Sequence, residues 1–388
     1  MVTFSRRTSF SREPNALTRA VARAKRPLVD LTVSNPTTVG LPYDAERILG
    51  ALARPAALTY DPLPFGLPAA REAVREELRI DGIEMPHERV VLTASTSEAY
   101  SVAFQLLCDA GDAVLVPAPT YPLLEHLAAL SSVRLVPYPL AYDGAWHIDL
   151  DALARARVPD ARAVFVVSPN NPTGSYLKRS ELEGLADLGL PIVSDEVFGR
   201  YPLSEDATRA RSALDTERVP VLALGGLSKL AALPQLKLGW MLVGGPAAWV
   251  DEALGRLELI LDSYLSLATP VQHALPELLA ASRVTTDAIR SRVRENLMLI
   301  DRALAGSPAS CLHVEGGWYA VLRLPRTRSE EEWVVGLVEE AGVLAQPGWF
   351  FDFPDEPYVV VSLLTPSEVL ERGARALTHY VRHCTSVL

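Results

Sequence analysis

The chain has 388 residues, 49% of them hydrophobic and 22% charged, with a formal net charge of −10. That length allows one large core and a second, smaller one, and the acidic balance argues against nucleic acid, whose binding proteins carry basic surfaces. No run of about 18 uncharged apolar residues marks a membrane span, and three cysteines without framework spacing lead us to expect reduced thiols and a cytoplasmic home.

The first 27 residues hold six arginines and one acid, Glu13, a composition that imitates a transit peptide. An apolar, strand-like stretch at residues 28–33 follows at once, so an N-terminal arm with a short helix from Asn15 is the better reading. From about residue 88 to 245 strand and helix patterns alternate. Strands are expected at 90–93, 113–116, 133–136, 163–167, 191–193, 219–224 and 240–243, most of them continuous Val/Leu/Ile runs. Helices are expected between them, as at 98–107 and 178–188. This alternation indicates an α/β fold with a mainly parallel sheet covered by helices. A long amphipathic helix at 285–304 leads into a second region, with strands at 318–324 and 358–363 and a closing helix at 367–379. The expected division is an arm and strand over 1–40 that packs with the small domain, a large domain over 41–282 and a small domain over 283–388.

Lysine usage points to the chemistry. Of 37 basic residues, Lys25, Lys178, Lys229 and Lys237 are the lysines and the rest are arginine. Arginine supplies fixed charge but never a free amine, so a lysine kept in this chain is a candidate for its amine. Lys229, in Gly225-Gly226-Leu227-Ser228-Lys229, follows the apolar run 219–224 and stands at the end of a probable strand. Two earlier strands run into Ser168-Pro169-Asn170-Asn171-Pro172-Thr173-Gly174 and Ser194-Asp195-Glu196. An amide, a carboxylate and an amine thus stand in order at three strand ends.

With that ordered set the chain resembles the class I/II aminotransferases, pyridoxal-phosphate (PLP) enzymes of fold type I, over nearly its whole length. The resemblance implies a seven-stranded, mainly parallel sheet in a large PLP-binding domain beside a smaller α+β domain. It also implies a role for each motif. Lys229 would hold the cofactor as a Schiff base and act as general base and acid. Asp195 would keep the pyridine nitrogen protonated, and the Asn171 amide would donate to the phenolic oxygen. The turn Ser95-Thr96-Ser97, at a helix start, would take the phosphate on backbone N–H groups, while Ser95 to Glu98 also fits a capping box. Tyr121 would stack on the pyridine face. Tyr60, in Tyr60-Asp61-Pro62, matches the family's tyrosine that reaches a partner subunit's phosphate, so a homodimer is implied. Asn35 lies in the stretch that runs near the substrate in the family.

The chain also departs from the pattern. Lys237 stands where an arginine usually meets the phosphate, Gly226 where many members have a serine, and Phe198 where a tyrosine supports the phenolate. Near the C-terminus Val360-Val361-Ser362 replaces Arg-x-Ser, whose arginine grips the substrate carboxylate. Arg323, on the preceding strand, is the substitute candidate. His379, His383 and Cys384 have metal-like helical spacing without a further ligand cluster, so no metal is expected. The expected function is transfer of an amino group from an amino acid to a 2-oxo acid by ping-pong half-reactions. A carbon–sulfur lyase or decarboxylase on the same scaffold is the alternative.

Overall fold

The computed structural model of the protein describes residues 4–353 and 357–386. A short N-terminal strand, β1 (Val29–Asp30), is followed by the strands of the principal sheet. These are β2 (Val90–Thr93), β3 (Ala113–Ala118), β4 (Arg134–Tyr142), β5 (Trp146–Ile148), β6 (Ala161–Val167), β7 (Ile192–Asp195), β8 (Val221–Gly226) and β9 (Gly239–Gly244). Their order is β2-β9-β8-β7-β6-β3-β4-β5. Neighbours from β8 through β7, β6 and β3 to β4 are parallel, and β9, β2 and β5 join antiparallel.

All seven expected strands are in this sheet. The eighth, β5, is three residues long at the edge, too short to show a period in sequence. Every residue of β2, β7, β8 and β9 is buried, which is why those segments read as unbroken apolar runs. On one face Val114, Phe165 and Leu222 pack with the helices Thr96–Leu107 and Ala247–Asp262. On the other, Val164, Ile192 and Val221 pack with Leu182 and Leu185 of the helix Arg179–Asp187. Because β3, β6, β7 and β8 run the same way, their C-terminal ends line one edge, and the loops leaving that edge carry Tyr121, Asn171, Asp195 and Lys229.

The smaller sheet combines β10 (Ser310–Cys311), β11 (Tyr319–Arg323), β13 (Gln346–Pro347) and β14 (Tyr358–Ser362) in the order β10-β11-β14-β13, all antiparallel. The helices Arg283–Leu304 and Ser367–Ser386 bury Ile289, Val293, Leu370 and Leu377 in its core. The remaining strand, β12 (Val343–Leu344), pairs in parallel with β1, so the N-terminal segment is held against this smaller unit.

One segment of the smaller unit sets the site. Gly174 has φ +76°, and a Cβ there would stand 2.6 Å from Gly316 O, so glycine is needed for backbone to meet backbone. Glu315 anchors the approach: its carboxylate accepts from Tyr176 N at 3.0 Å, pairs with Lys178, and lies 3.7 Å from Arg209. The chain then continues directly into Trp318 and β11.

Candidate active site

Lys229 lies in the single helical turn Leu227–Leu230 that leaves β8. Its carbonyl accepts a hydrogen bond from Tyr201 Oη at 2.6 Å, which fixes the turn from below. The Nζ atom stands 4.9 Å from the Trp318 ring centroid and 5.4 Å from that of Phe198. Aromatic faces attract the cation, but burial costs it hydration, and burial wins. The amine is lowered to about 8, with the charge of Asp195 pulling weakly upward.

Asp195 ends β7 in register with Val167 of β6 and Leu224 of β8. Its Oδ2 accepts from Tyr100 Oη at 2.8 Å and its Oδ1 from Val197 N at 3.1 Å. Burial raises its carboxyl above the ordinary range, while the two donors and Lys229 oppose that rise. Glu196, the next residue, serves another purpose. Its Oε1 accepts from Ser194, Ser212 and Ala213 N, holding a distant loop.

The turn after β2 is built as an N-terminus. Ser95 Oγ accepts from Glu98 N at 3.1 Å, and Glu98 Oε2 reaches back to Ala94 N at 2.5 Å, one residue before the cap. The N–H groups of Thr96 and Ser97, in the first turn, have no acceptor inside the helix. Gly239 of β9 packs on this turn so closely that a Cβ would lie 2.8 Å from Ser95 C and Thr96 N. Gly226 is less tight, with a Cβ 3.2 Å from Gly239 Cα, Leu238 O and Thr96 Oγ1, so a serine there would need its neighbours to give by a few tenths of an ångström. Lys237, two residues before Gly239, is exposed and makes no ion pair among the described residues.

Asn171 is buried and its Oδ1 has no hydrogen-bond partner among the described residues. Asn170 is the structural member of the pair: its Nδ2 donates to Pro119 O at 3.2 Å and Thr173 Oγ1 at 2.9 Å. That ties the loop to the one bearing Tyr121, whose phenol is raised first by burial and then by the charge of Asp195.

Three expected residues stand apart from this group. Asn35 is exposed, and its Oδ1 is engaged by Thr37 N at 3.0 Å as a cap; the neighbouring Ser34 instead hydrogen-bonds the Tyr319 phenol. Tyr60 is 74% exposed on the surface. Arg323 lies away from this group. It sits at the far end of β11 from Tyr319, five residues and about 17 Å of extended chain beyond Trp318, with its guanidinium 5.8 Å over Tyr142. Val360, at the position of the usual arginine, is fully buried opposite Val321. Sequence reasoning missed Tyr100 and Tyr201, which lie on core helices and loops with no motif around them, and it read Trp318 as core packing.

Comparison with known proteins agrees with this arrangement. The model of the family "Aminotransferase class I and II" matches residues 27–377. Nicotianamine aminotransferase B of Hordeum vulgare is 28% identical over 348 residues, which are 84% of this chain; the chain spans 62% of that relative's length. Glutamate-pyruvate aminotransferase AlaA of Escherichia coli is 26% identical over 91% of both chains. Among solved structures, alanine aminotransferase from Pyrococcus furiosus superimposes with a TM-score of 0.85 at 25% identity, covering 98% of this chain and all of the other.

Proposed function

The chain belongs to the class I and II aminotransferases, and on that premise we propose that it is a PLP-dependent transaminase acting on an amino acid and a 2-oxo acid. The carrying observation is a half-buried amine, Lys229, beside a buried carboxylate, Asp195, at adjacent strand ends.

The residues fit PLP on several independent counts. The amine is lowered to about 8, as a group that must react with an aldehyde requires. The Thr96 and Ser97 amides beside Gly239 offer an anion site, and Lys237, two residues before Gly239, is an exposed cation on the segment leading into β9. Asn171 is buried in the loop after β6, where its amide nitrogen is the donor the phenolic oxygen would need, and Tyr121 lies near Asp195. In this reading Lys229 holds the aldehyde carbon, Asp195 meets the pyridine nitrogen, Asn171 the phenolic oxygen, and Ser95, Thr96, Ser97 and Lys237 the phosphate. PLP, when bound, supplies a sink for the electron pair left at the substrate α-carbon. Lys229 Nζ moves the proton at that carbon, and Trp318 and Phe198 keep water from the amine. Phe198 brings no hydroxyl, so the phenolic oxygen lacks the second donor usual in the family.

The same reading takes residues 41–282 as the large domain and 283–388 as the small one, the break falling at Ser282 between two helices. It also takes the protein as a homodimer in a reducing, cytoplasmic setting, with Tyr60 reaching the partner's phosphate. Leu58 (91% exposed) stands two residues before Tyr60, and a second copy would cover both.

A half-reaction screen tests the function. PLP-loaded protein is mixed with α-amino acids and sulfur amino acids, and the products are identified by mass spectrometry. Stoichiometric pyridoxamine phosphate with a 2-oxo acid is the expected result. Unchanged PLP beside pyruvate and ammonia, or beside a decarboxylated amine, would make the protein a lyase or a decarboxylase.

A further inference from the structure

Tyr319, the first residue of β11, forms a wall of the site. Its ring stands edge to face with that of Phe198, centroids 6.3 Å apart, and Phe198 in turn lies 5.4 Å from Lys229 Nζ. The Tyr319 phenol also feels Tyr121, and Tyr121 feels Asp195. The preceding residue, Trp318, covers the amine at 4.9 Å.

In the ladder of β11 and β14, Tyr319 stands opposite Ser362 and Val321 opposite Val360. Alternate residues of a strand face the same way, so Tyr319 and Val360 share one sheet face. Val360 is fully buried and Tyr319 half-buried, which sets a phenol at the cleft beside a valine that brings no polar group. Ser362 N donates to Leu31 O at 2.7 Å and so lays the segment 31–34 along this end of the ladder. Burial raises the Tyr319 phenol, and its hydrogen bond with Ser34 opposes the rise, as a hydroxyl donating to the phenolic oxygen does. The phenol then keeps its own hydrogen to give.

Every lysine and arginine of the chain lies within the described residues, and no guanidinium acts on Lys229, Asp195, Tyr121 or Tyr319. A guanidinium prefers a carboxylate to a neutral acceptor because it pairs charge with charge. Hydroxyl donors bring no charge to pair, and a carboxylate taken out of water without a counter-ion is costly. Such donors hold a carboxylate and a carboxamide oxygen with comparable strength. We propose that Tyr319, steadied by Ser34, is a specificity-determining residue that receives the group beside the reacting carbon on a neutral hydroxyl seat, so that the protein takes α-amino carboxamides as well as α-amino acids. This rests on the reading of Lys229 as the amine that holds PLP.

The test uses PLP-loaded protein and three amines that have no α-hydrogen to lose: 2-aminoisobutyrate, its carboxamide and tert-butylamine. They differ in one group, a carboxylate, a carboxamide or a methyl, and their dissociation constants are read from the cofactor's absorbance. The acid and the amide should bind within about ten-fold of each other. Tyr319→Phe should weaken both by roughly five-fold and leave tert-butylamine unmoved, with Ser34→Ala acting in the same direction. Melting curves verify that the variants fold, and Ser34→Ala carries the test should Tyr319→Phe not. An acid held about a hundred-fold more tightly than the amide would overturn the proposal by revealing a cation at the seat. Acid and amide unmoved by both variants, an equal loss for tert-butylamine, or binding of none of the three would overturn it too. Half-reactions of alanine and alaninamide then report turnover, with pyruvate and 2-oxopropanamide as the expected products beside pyridoxamine phosphate. Turnover of alanine alone would contradict the proposal. Turnover of neither, with the three probes binding as stated, would strike the transaminase reading and leave the seat standing.

Discussion

Tyr100 donates its phenolic hydrogen to Asp195 Oδ2 at 2.8 Å, from the second turn of the helix whose first turn bears Thr96 and Ser97. The group proposed for the pyridine nitrogen and the turn proposed for the phosphate are thereby tied through one helix. Burial pushes the Asp195 carboxyl up, and this donor is one of the forces keeping it ionised.

Tyr100→Phe removes the donor and leaves a buried carboxylate oxygen without a partner, a loss of about 1–3 kcal/mol. The carboxyl of Asp195 then rises further, so the acid limb of the half-reaction pH profile, which requires the ionised form, should move to higher pH. PLP should also be held more weakly. An acid limb that stays in place would show that Tyr100 merely packs.

The lowered amine of Lys229 carries a stability signature. Between about 8 and the ordinary lysine value the folded protein holds a neutral amine while the unfolded chain holds a proton. The unfolded state binds more protons there, so stability attributable to this residue rises with pH across that window. Denaturation of the cofactor-free protein and its Lys229→Met variant from pH 7.5 to 10 checks this. The variant's advantage should shrink as pH rises, by at most roughly 3 kcal/mol. An advantage independent of pH would mean that the amine is not desolvated.

The packing of β9 on the phosphate turn gives a third prediction. In Gly239→Ala the added Cβ would fall 2.8 Å from the backbone of Ser95 and Thr96, where no flexible side chain can yield. Overpacking of this kind costs about 1–3 kcal/mol, and the displaced amides should weaken binding of PLP and of inorganic phosphate alike. Equal phosphate affinity in the variant would place the anion site elsewhere.

The proposed dimer is testable at Leu58, which is 91% exposed beside Tyr60. The wild type should sediment at twice 42.2 kDa, and Leu58→Glu should shift it toward the monomer with loss of PLP affinity. A wild-type monomer holding PLP tightly would remove Tyr60 from the site.

The parallel sheet was legible because strands buried on both faces leave unbroken apolar runs, as in β6 and β8. Lys229, Asp195 and Asn171 could be named as candidates because chemistry dictates both residue type and strand end; the structure sets them at the C-terminal edge of the sheet, and their roles stand as proposed. Contacts formed only by tertiary packing left no trace. Tyr100 reads as an ordinary core tyrosine, and nothing local announces that its hydroxyl meets a strand end 95 residues away. Arg323 shows what alternation along a strand leaves out: it predicts a residue's face but not how far along the strand that residue stands from a site. At Asn35 a turn occupies the side-chain oxygen, a local competition that motif matching ignores.

The most direct test of the account is to fix PLP to the protein with borohydride and map the modified peptide by mass spectrometry. The account predicts one adduct per chain, on Lys229. An adduct on Lys25, Lys178 or Lys237, or none at all, would contradict it.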